Sequence, residues 1–218
     1  MGLVFMNGNK TSLTVRNMVS GPLPEFRDVF KKWFSIIEKY CENRCWEDVP
    51  WWYNERASLS LFAAAVWNSG GIALEEYSTS KSHRKERWPG RGDIYVSING
   101  KEYIIEAKQV WCSISGRAQK SNDKIEKALF EARHAAGETK SWGAKRLGLV
   151  FAIPYLSNSQ RHNLGARIDS WLEEINSIER TSLAWILDKG ATDRFRYKKY
   201  LYPGVAVLLR PLRQSLKN

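Results

Sequence analysis

Cysteine is scarce in this sequence: Cys41, Cys45 and Cys112 form an odd set without CxxC spacing. That excludes a disulfide framework and the common paired-cysteine zinc sites, and a reducing, cytoplasmic setting is expected. Histidine is equally sparse, and His83, His134 and His162 fall in different predicted elements, so neither a histidine zinc site nor a histidine general base is expected. Fifteen glycines and seven prolines in 218 residues leave no collagenous or low-complexity stretch. No run approaches the ~20 apolar residues of a membrane span, and the short apolar start at 2–6 lacks the basic and long apolar segments of a secretion signal. Walker A, Gly-x-Gly-x-x-Gly and Gly-x-Ser-x-Gly patterns are all missing, which argues against nucleotide-driven activity and a serine-hydrolase elbow.

Acidic residues are also the minority. Lys and Arg number 34 against 23 Asp and Glu, a formal charge of +11, so a polyanion is the expected partner and nucleic acid the first candidate. With 43% hydrophobic and 26% charged residues the chain can build a full core. At roughly 150 residues per domain, one domain over 1–218 is expected, with a core at about 54–153 and a helical N-terminal extension at about 22–50. Ten tryptophans are many, and large aromatics in a chain of this size are read first as core.

Residues 1–21 are polar, glycine-dotted and expected to be loosely held. Over 24–40, Phe26, Val29, Phe30, Trp33, Ile37 and Tyr40 recur at helical spacing. They predict an amphipathic helix that seeks a partner, within the chain or in a homodimer or protein complex. A second helix is predicted from Asn54, an N-cap, to Trp67, with Leu59, Phe62, Ala63 and Val66 as its stripe and Gly70-Gly71 as its stop. Strands follow at 72–79, 93–98 and 103–108, the last two joined by Asn99-Gly100, the strongest short hairpin signal. A helix at 122–136, a continuous apolar strand at 147–153, a helix at 159–175 and strands at 183–187 and 205–209 complete the order. The fold class is α/β, a mixed central β-sheet flanked by helices on both faces.

The hairpin register can be worked out. With Asn99 and Gly100 as the loop, opposed residues sum to 199, so Ile94 faces Ile105, Val96 faces Tyr103, and Asp93 lies across from Glu106. Lys108, two residues on, shares the face of Glu106. Two carboxylates opposed at Cβ separations of roughly 5 Å repel, and a divalent cation removes the objection. Mg²⁺ takes hard oxygen ligands and lowers the pKa of bound water, while a lysine offsets charge growing on a phosphoryl group. Glu55 lies on the inward stripe of the second helix and offers a third carboxylate; alone it would be read as a solvated first-turn acid. Glu75 and Glu76 are alternative third acids of which an alternating strand can turn only one inward, and Glu55 is preferred over either.

A helix carrying Glu, then a strand, a Gly-Asp strand start, a hairpin and a Glu-x-Lys strand end resembles the PD-(D/E)XK nuclease superfamily, the restriction-endonuclease-like fold that includes Holliday-junction resolvases. The resemblance covers about 54–153. It places Glu55, Asp93, Glu106 and Lys108 as the helix acid, first motif acid, second motif acid and lysine, although no proline directly precedes Asp93. It implies an αβββαβ core with an extra N-terminal helix and C-terminal strands, and Mg²⁺-dependent (or Mn²⁺-dependent) hydrolysis of nucleic-acid phosphodiesters. Asp93, Glu106 and Glu55 would be the metal ligands, and DNA the expected substrate, RNA remaining open. The other reading is a nucleic-acid-binding module of the same fold that is catalytically idle or is switched on by a partner.

The basic run 83–92 is expected to be a loop that brings Arg84, Lys85, Arg87 and Arg91 to phosphate, Arg91 foremost because it lies two residues from Asp93. Gln109, directly after the lysine, is a candidate substrate contact or a satisfied strand-end side chain. Lys120, Lys124 and Lys127 could hold the backbone from the other side, or form a solvated helix face. The stretch 194–200 interleaves bases with Phe195, Tyr197 and Tyr200, either as a nucleic-acid surface or as a loop whose aromatics pack inward.

Overall fold

A computed structural model of the chain describes residues 15–19, 21–83, 86–116, 119–191 and 195–212, the side chains of Val15, Gln119 and Lys120 excepted. In chain order its elements are β1 (Val15–Val19), α1 (Arg27–Asn43), α2 (Glu55–Asn68), β2 (Ile72–His83), β3 (Glu86–Ile98), β4 (Lys101–Ser113), α3 (Gln119–Glu138), β5 (Lys145–Ser157), α4 (Leu164–Asn176), β6 (Ser182–Leu187), β7 (Arg196–Tyr197), β8 (Tyr200–Leu201) and β9 (Gly204–Pro211). The fold is α/β with one mixed sheet in the order β1-β6-β9-β5-β4-β3-β2, and β8 and β7 attach beyond the end of β5. Only β4 and β5 run parallel, joined across α3. β5 is central, with eleven parallel partners on one side and β9 on the other. That position explains its unbroken apolar run from Leu147 to Ile153, buried throughout.

Helices cover both faces. Phe26, in the turn before α1, meets Tyr103 of β4 with ring centroids 5.1 Å apart, and Phe62 of α2 meets Phe151 of β5 at 6.5 Å. Tyr103 and Phe151 lie on one face, since Gln109 pairs with Phe151 in the parallel ladder. α3 packs on β4 and β5 from the other face, its Arg133 lying against Gly148, the residue paired with Glu106. The Asn54 side chain caps α2 as its sequence implies, its Oδ1 accepting from Ala57 N at 3.1 Å.

Three expectations are corrected here. Within the stretch expected to be loosely held, β1 pairs antiparallel along β6, Val19 opposite Leu183, and forms the sheet edge. The apolar stripe of α1 is covered within the chain: Phe26, Val29, Phe30, Trp33, Phe34 and Ile37 are buried, and α1 packs on α2. From Glu86 onward the basic run is not a loop. With one interruption, at Glu76, β2 and β3 pair from Ile72↔Ser97 out to His83↔Glu86, so 86–92 lie in the far half of a long hairpin arm. No described helix is long and apolar enough to cross a membrane.

Candidate active site

The turn between β3 and β4 has Asn99 and Gly100 at φ +51° and +71°. These left-handed values suit Asn-Gly in a two-residue hairpin. The register is the expected one, from Ile98↔Lys101 to Ile94↔Ile105. There the two strands separate. The Asp93–Glu106 pair does not form ladder bonds, and Asp93 instead turns its carboxylate across the gap, its Oδ2 accepting from Ala107 N at 2.7 Å. Two residues further along β4, Gln109 N donates to Glu55 Oε2 at 2.9 Å. The two β4 amides left by the departing strand are thus both taken by carboxylates, one from β3 and one from the first turn of α2. The β2–β3 ladder is also interrupted at this level: Glu75↔Ile94 and Tyr77↔Gly92 pair, while Glu76 between them adopts φ +50°.

Glu106 is only 4% exposed. Its Oε1 accepts from Thr139 Oγ1 at 2.8 Å and lies 3.1 Å from Lys81 Nζ. Lys81 and Thr139 are themselves joined by an antiparallel bridge, and Lys140 N donates to Ser80 O at 2.9 Å. The hairpin arm is thereby stitched to the end of α3 directly over Glu106. Tyr77 crosses the glycine at position 92 so closely that a Cβ there would overlap its ring. The Tyr77 hydroxyl is buried without a hydrogen-bond partner among the described residues.

Burial pushes the Glu106 carboxyl above the usual carboxylate range and Asp93 pushes it further, with Thr139 and Lys81 pulling it back. Burial likewise raises Glu55; Lys108 and the Gln109 amide oppose that, and Asp93 adds to it. Tyr77 is raised by burial and then by the charges of Glu106 and Asp93. Glu55, Asp93, Glu106, Lys108 and Tyr77 therefore act on one another as a single electrostatic cluster at the split between β3 and β4. Asp93 is the member whose charge acts on both other carboxylates.

Carboxylate oxygens are the ligands a hard divalent cation takes, although those of Asp93, Glu55 and Glu106 do not all lie within 4.8 Å of one another, so holding one ion between all three would require their side chains to draw closer. Asp93, Glu55 and Glu106 each commit one oxygen to a protein donor. The second oxygen of each takes no hydrogen bond among the described residues. Repulsion of Asp93 with Glu55 and with Glu106, offset only in part by Lys108 and Lys81, is relieved by an ion such as Mg²⁺ or Mn²⁺.

Other expected site residues lie elsewhere or act differently. Gln109 is not a substrate contact: its Nε2 donates to Tyr53 O at 2.7 Å and its Oε1 accepts from Ser58 Oγ at 2.7 Å, bracketing β4 to the start of α2. Glu75 accepts from Ser60 at 3.0 Å, and Glu76 pairs with Arg56 at 3.2 Å and Arg91 at 3.6 Å, so neither supplies the third acid. Arg91 and Arg87 are exposed on β3. Arg84, Lys85 and the Lys120 side chain lie outside the described residues. Lys124 reaches the Trp111 carbonyl at 3.5 Å, and Lys127 pairs with Glu131 on the same helix. The histidines are not all dispersed. The arm brings His83 beside His134 and Glu138, ligand atoms all within 4.8 Å, with His83 Nδ1 2.9 Å from Glu138 Oε1. Lys81, Thr139 and Tyr77 were not legible beforehand. Only the full length of the β2–β3 ladder, beyond the predicted strand end at 79, would have pointed to Lys81.

Comparison with protein-family models, curated proteins and solved structures finds no match for this chain.

Proposed function

We propose that this protein is a metal-dependent nuclease that hydrolyses phosphodiester bonds of nucleic acid, most readily DNA, by chemistry of the PD-(D/E)XK type. The observation that carries the reading is that, where β3 leaves β4, carboxylates of Asp93 and Glu55 take the place of the ladder bonds, with Asp93 acting on both Glu55 and Glu106 and Lys108 acting on Glu55. Asp93, Glu106 and Glu55 would hold Mg²⁺ or Mn²⁺, which when bound lowers the pKa of a coordinated water and draws charge from a phosphoryl oxygen. Lys108 stands beside the carboxylates to orient water or to offset charge developing on the phosphate. Gln109 fixes the spacing of Glu55 from β4 through three hydrogen bonds. The formal +11 draws the polyanion in, and the exposed Arg87 and Arg91 of the hairpin arm meet its phosphates. Cys41, Cys45 and Cys112 are free thiols, consistent with a cytoplasmic setting, which belongs to the same proposal.

The test is incubation of purified protein with supercoiled, linear, single-stranded and branched DNA and with RNA, each in Mg²⁺, Mn²⁺ or EDTA. Cleavage in either metal that disappears in EDTA is expected; undiminished hydrolysis in EDTA refutes the mechanism. A second reading, a module switched on by a partner, is favoured by one observation: Glu106 is almost fully buried and its Oε1 is held by both Lys81 and Thr139. Under that reading, binding without cleavage in either metal is the expected result.

A further inference from the structure

We infer that a cavity lined entirely by aromatic side chains, just past the catalytic end of β4, receives an unstacked nucleobase, so that the substrate is single-stranded or locally unpaired nucleic acid. The link to cleavage rests on the nuclease reading; the pocket itself does not.

The cavity holds about 370 Å³ between Trp52, Trp111, Tyr155, Tyr197, Tyr200 and Tyr202. Its rings brace one another, Trp111 edge-on to Tyr202 at 5.3 Å and Tyr155 edge-on to Tyr200 at 5.3 Å. Trp52 and Tyr202 rest against the core, whereas Trp111, 37% exposed, and Tyr197, 54% exposed, stand clear of it. The chain builds a separate two-strand ribbon for one side of the wall: β7 and β8 pair Tyr197 with Tyr200, and Ser157↔Tyr200 attaches the ribbon to β5. Of the aromatics in that stretch, Phe195 packs inward against Trp51, while Tyr197 and Tyr200 face the cavity.

Position ties the cavity to the Glu55 side of the site, the face of β4 opposite to Glu106 and Lys108. Trp111 lies two residues beyond Gln109 on the same face of β4, about 7 Å along the strand. Trp52 adjoins Tyr53, whose carbonyl holds the Gln109 side chain. Charge selects the occupant. Lys198 and Lys199 place ammonium groups 5.3 and 5.4 Å from the Tyr197 and Tyr200 rings, and none of the lining residues is acidic. A quaternary ammonium group would find the π faces already shared with cations and would meet a formal charge of +11. A flat base carried on an anionic backbone satisfies both the rings and the lysines.

The test is fluorescence anisotropy of the full chain in EDTA with labelled oligo-dT, the same oligomer carrying abasic sites, a duplex, and a trimethyl-lysine peptide. Oligo-dT is expected to bind more tightly than its abasic counterpart. Trp111→Ala and Tyr197→Ala, both at exposed rings, should each weaken oligo-dT binding about 5- to 100-fold with little change for the abasic oligomer, and Trp111→Phe should restore it. Equal binding of the two oligomers, indifference to both alanine variants, or binding of the peptide alone would overturn the inference. Asp93→Asn separates the two readings. If it cleaves as the wild type does, the assignment of the catalytic site to Asp93 falls while the base preference stands; if it binds oligo-dT normally and, unlike the wild type, cleaves nothing, both hold.

Discussion

Asp93 Oδ2 accepts a hydrogen bond from Ala107 N at 2.7 Å, in the gap where its own strand should have paired with Glu106. The contact makes Asp93 a structural patch as well as a charged group, because it satisfies an amide that strand separation would leave bare.

Asparagine can keep that bond through its own Oδ1 while losing the charge that acts on Glu106 and Glu55. Asp93→Asn should therefore stabilise the metal-free protein by up to about 1 kcal/mol, the scale of a like-charge cross-strand contact, and abolish cleavage. Mg²⁺ should narrow the difference by binding the folded wild type. Thermal unfolding of both proteins in EDTA and in Mg²⁺, beside a cleavage assay, measures this; normal cleavage by the variant would remove Asp93 from the site.

Glu55 gives a pH signature. Its folded pKa is raised by burial, so the native state binds its proton more tightly than the unfolded state. Stability must then fall as pH rises from the ordinary glutamate range through the raised value. Glu55→Gln retains an acceptor for Gln109 N and should flatten that region of the curve in EDTA, while cleavage is lost. An unchanged slope of melting temperature against pH would show that Glu55 carries no such burden.

Lys81 neutralises a carboxylate that has almost no access to water. Lys81→Met should destabilise the protein by about 1–3 kcal/mol near neutral pH. The loss should shrink on acidification, because Glu106 is already raised by burial and by Asp93 and protonation removes the unpaired charge. Urea unfolding at several pH values reads this out; a loss independent of pH would mean that only packing had been disturbed.

Gly92 lets the Tyr77 ring lie across β3. Gly92→Ala should cost about 1–3 kcal/mol of stability through overpacking, and Tyr77→Ala in the same chain should recover much of it. Additive losses in the double-mutant cycle would disprove the contact.

Nucleic-acid binding in EDTA should weaken steeply with salt, log Kobs falling linearly with log salt as phosphates are neutralised. Affinity that does not change between low and physiological ionic strength would exclude an electrostatic nucleic-acid partner.

The Asn99-Gly100 turn and the alternation around it were sufficient, read from the sequence, to set the β3–β4 register, because a two-residue loop and a period of two leave a single pairing that buries Ile94, Val96 and Ile105 together. Helical spacing did the same for Glu55, whose place on the inward stripe of α2 brings it to β4. What the side chains at that register would do was decided only in three dimensions. Glu106 turns away to Lys81 and Thr139, partners 25 and 33 positions off in sequence, because β2 and β3 continue pairing through a polar stretch that no hydrophobic pattern marks. Asp93 reaches Ala107 because the strands diverge one pair sooner than an ideal hairpin would. Gln109 is consumed as a bracket, and Trp52, Trp111 and Tyr197 come together from segments up to 145 residues apart. Local sequence encodes periodicity and turns, which act over a few residues. Charge partners and cavities depend on where distant chain segments end up, and only the packed sheet determines that.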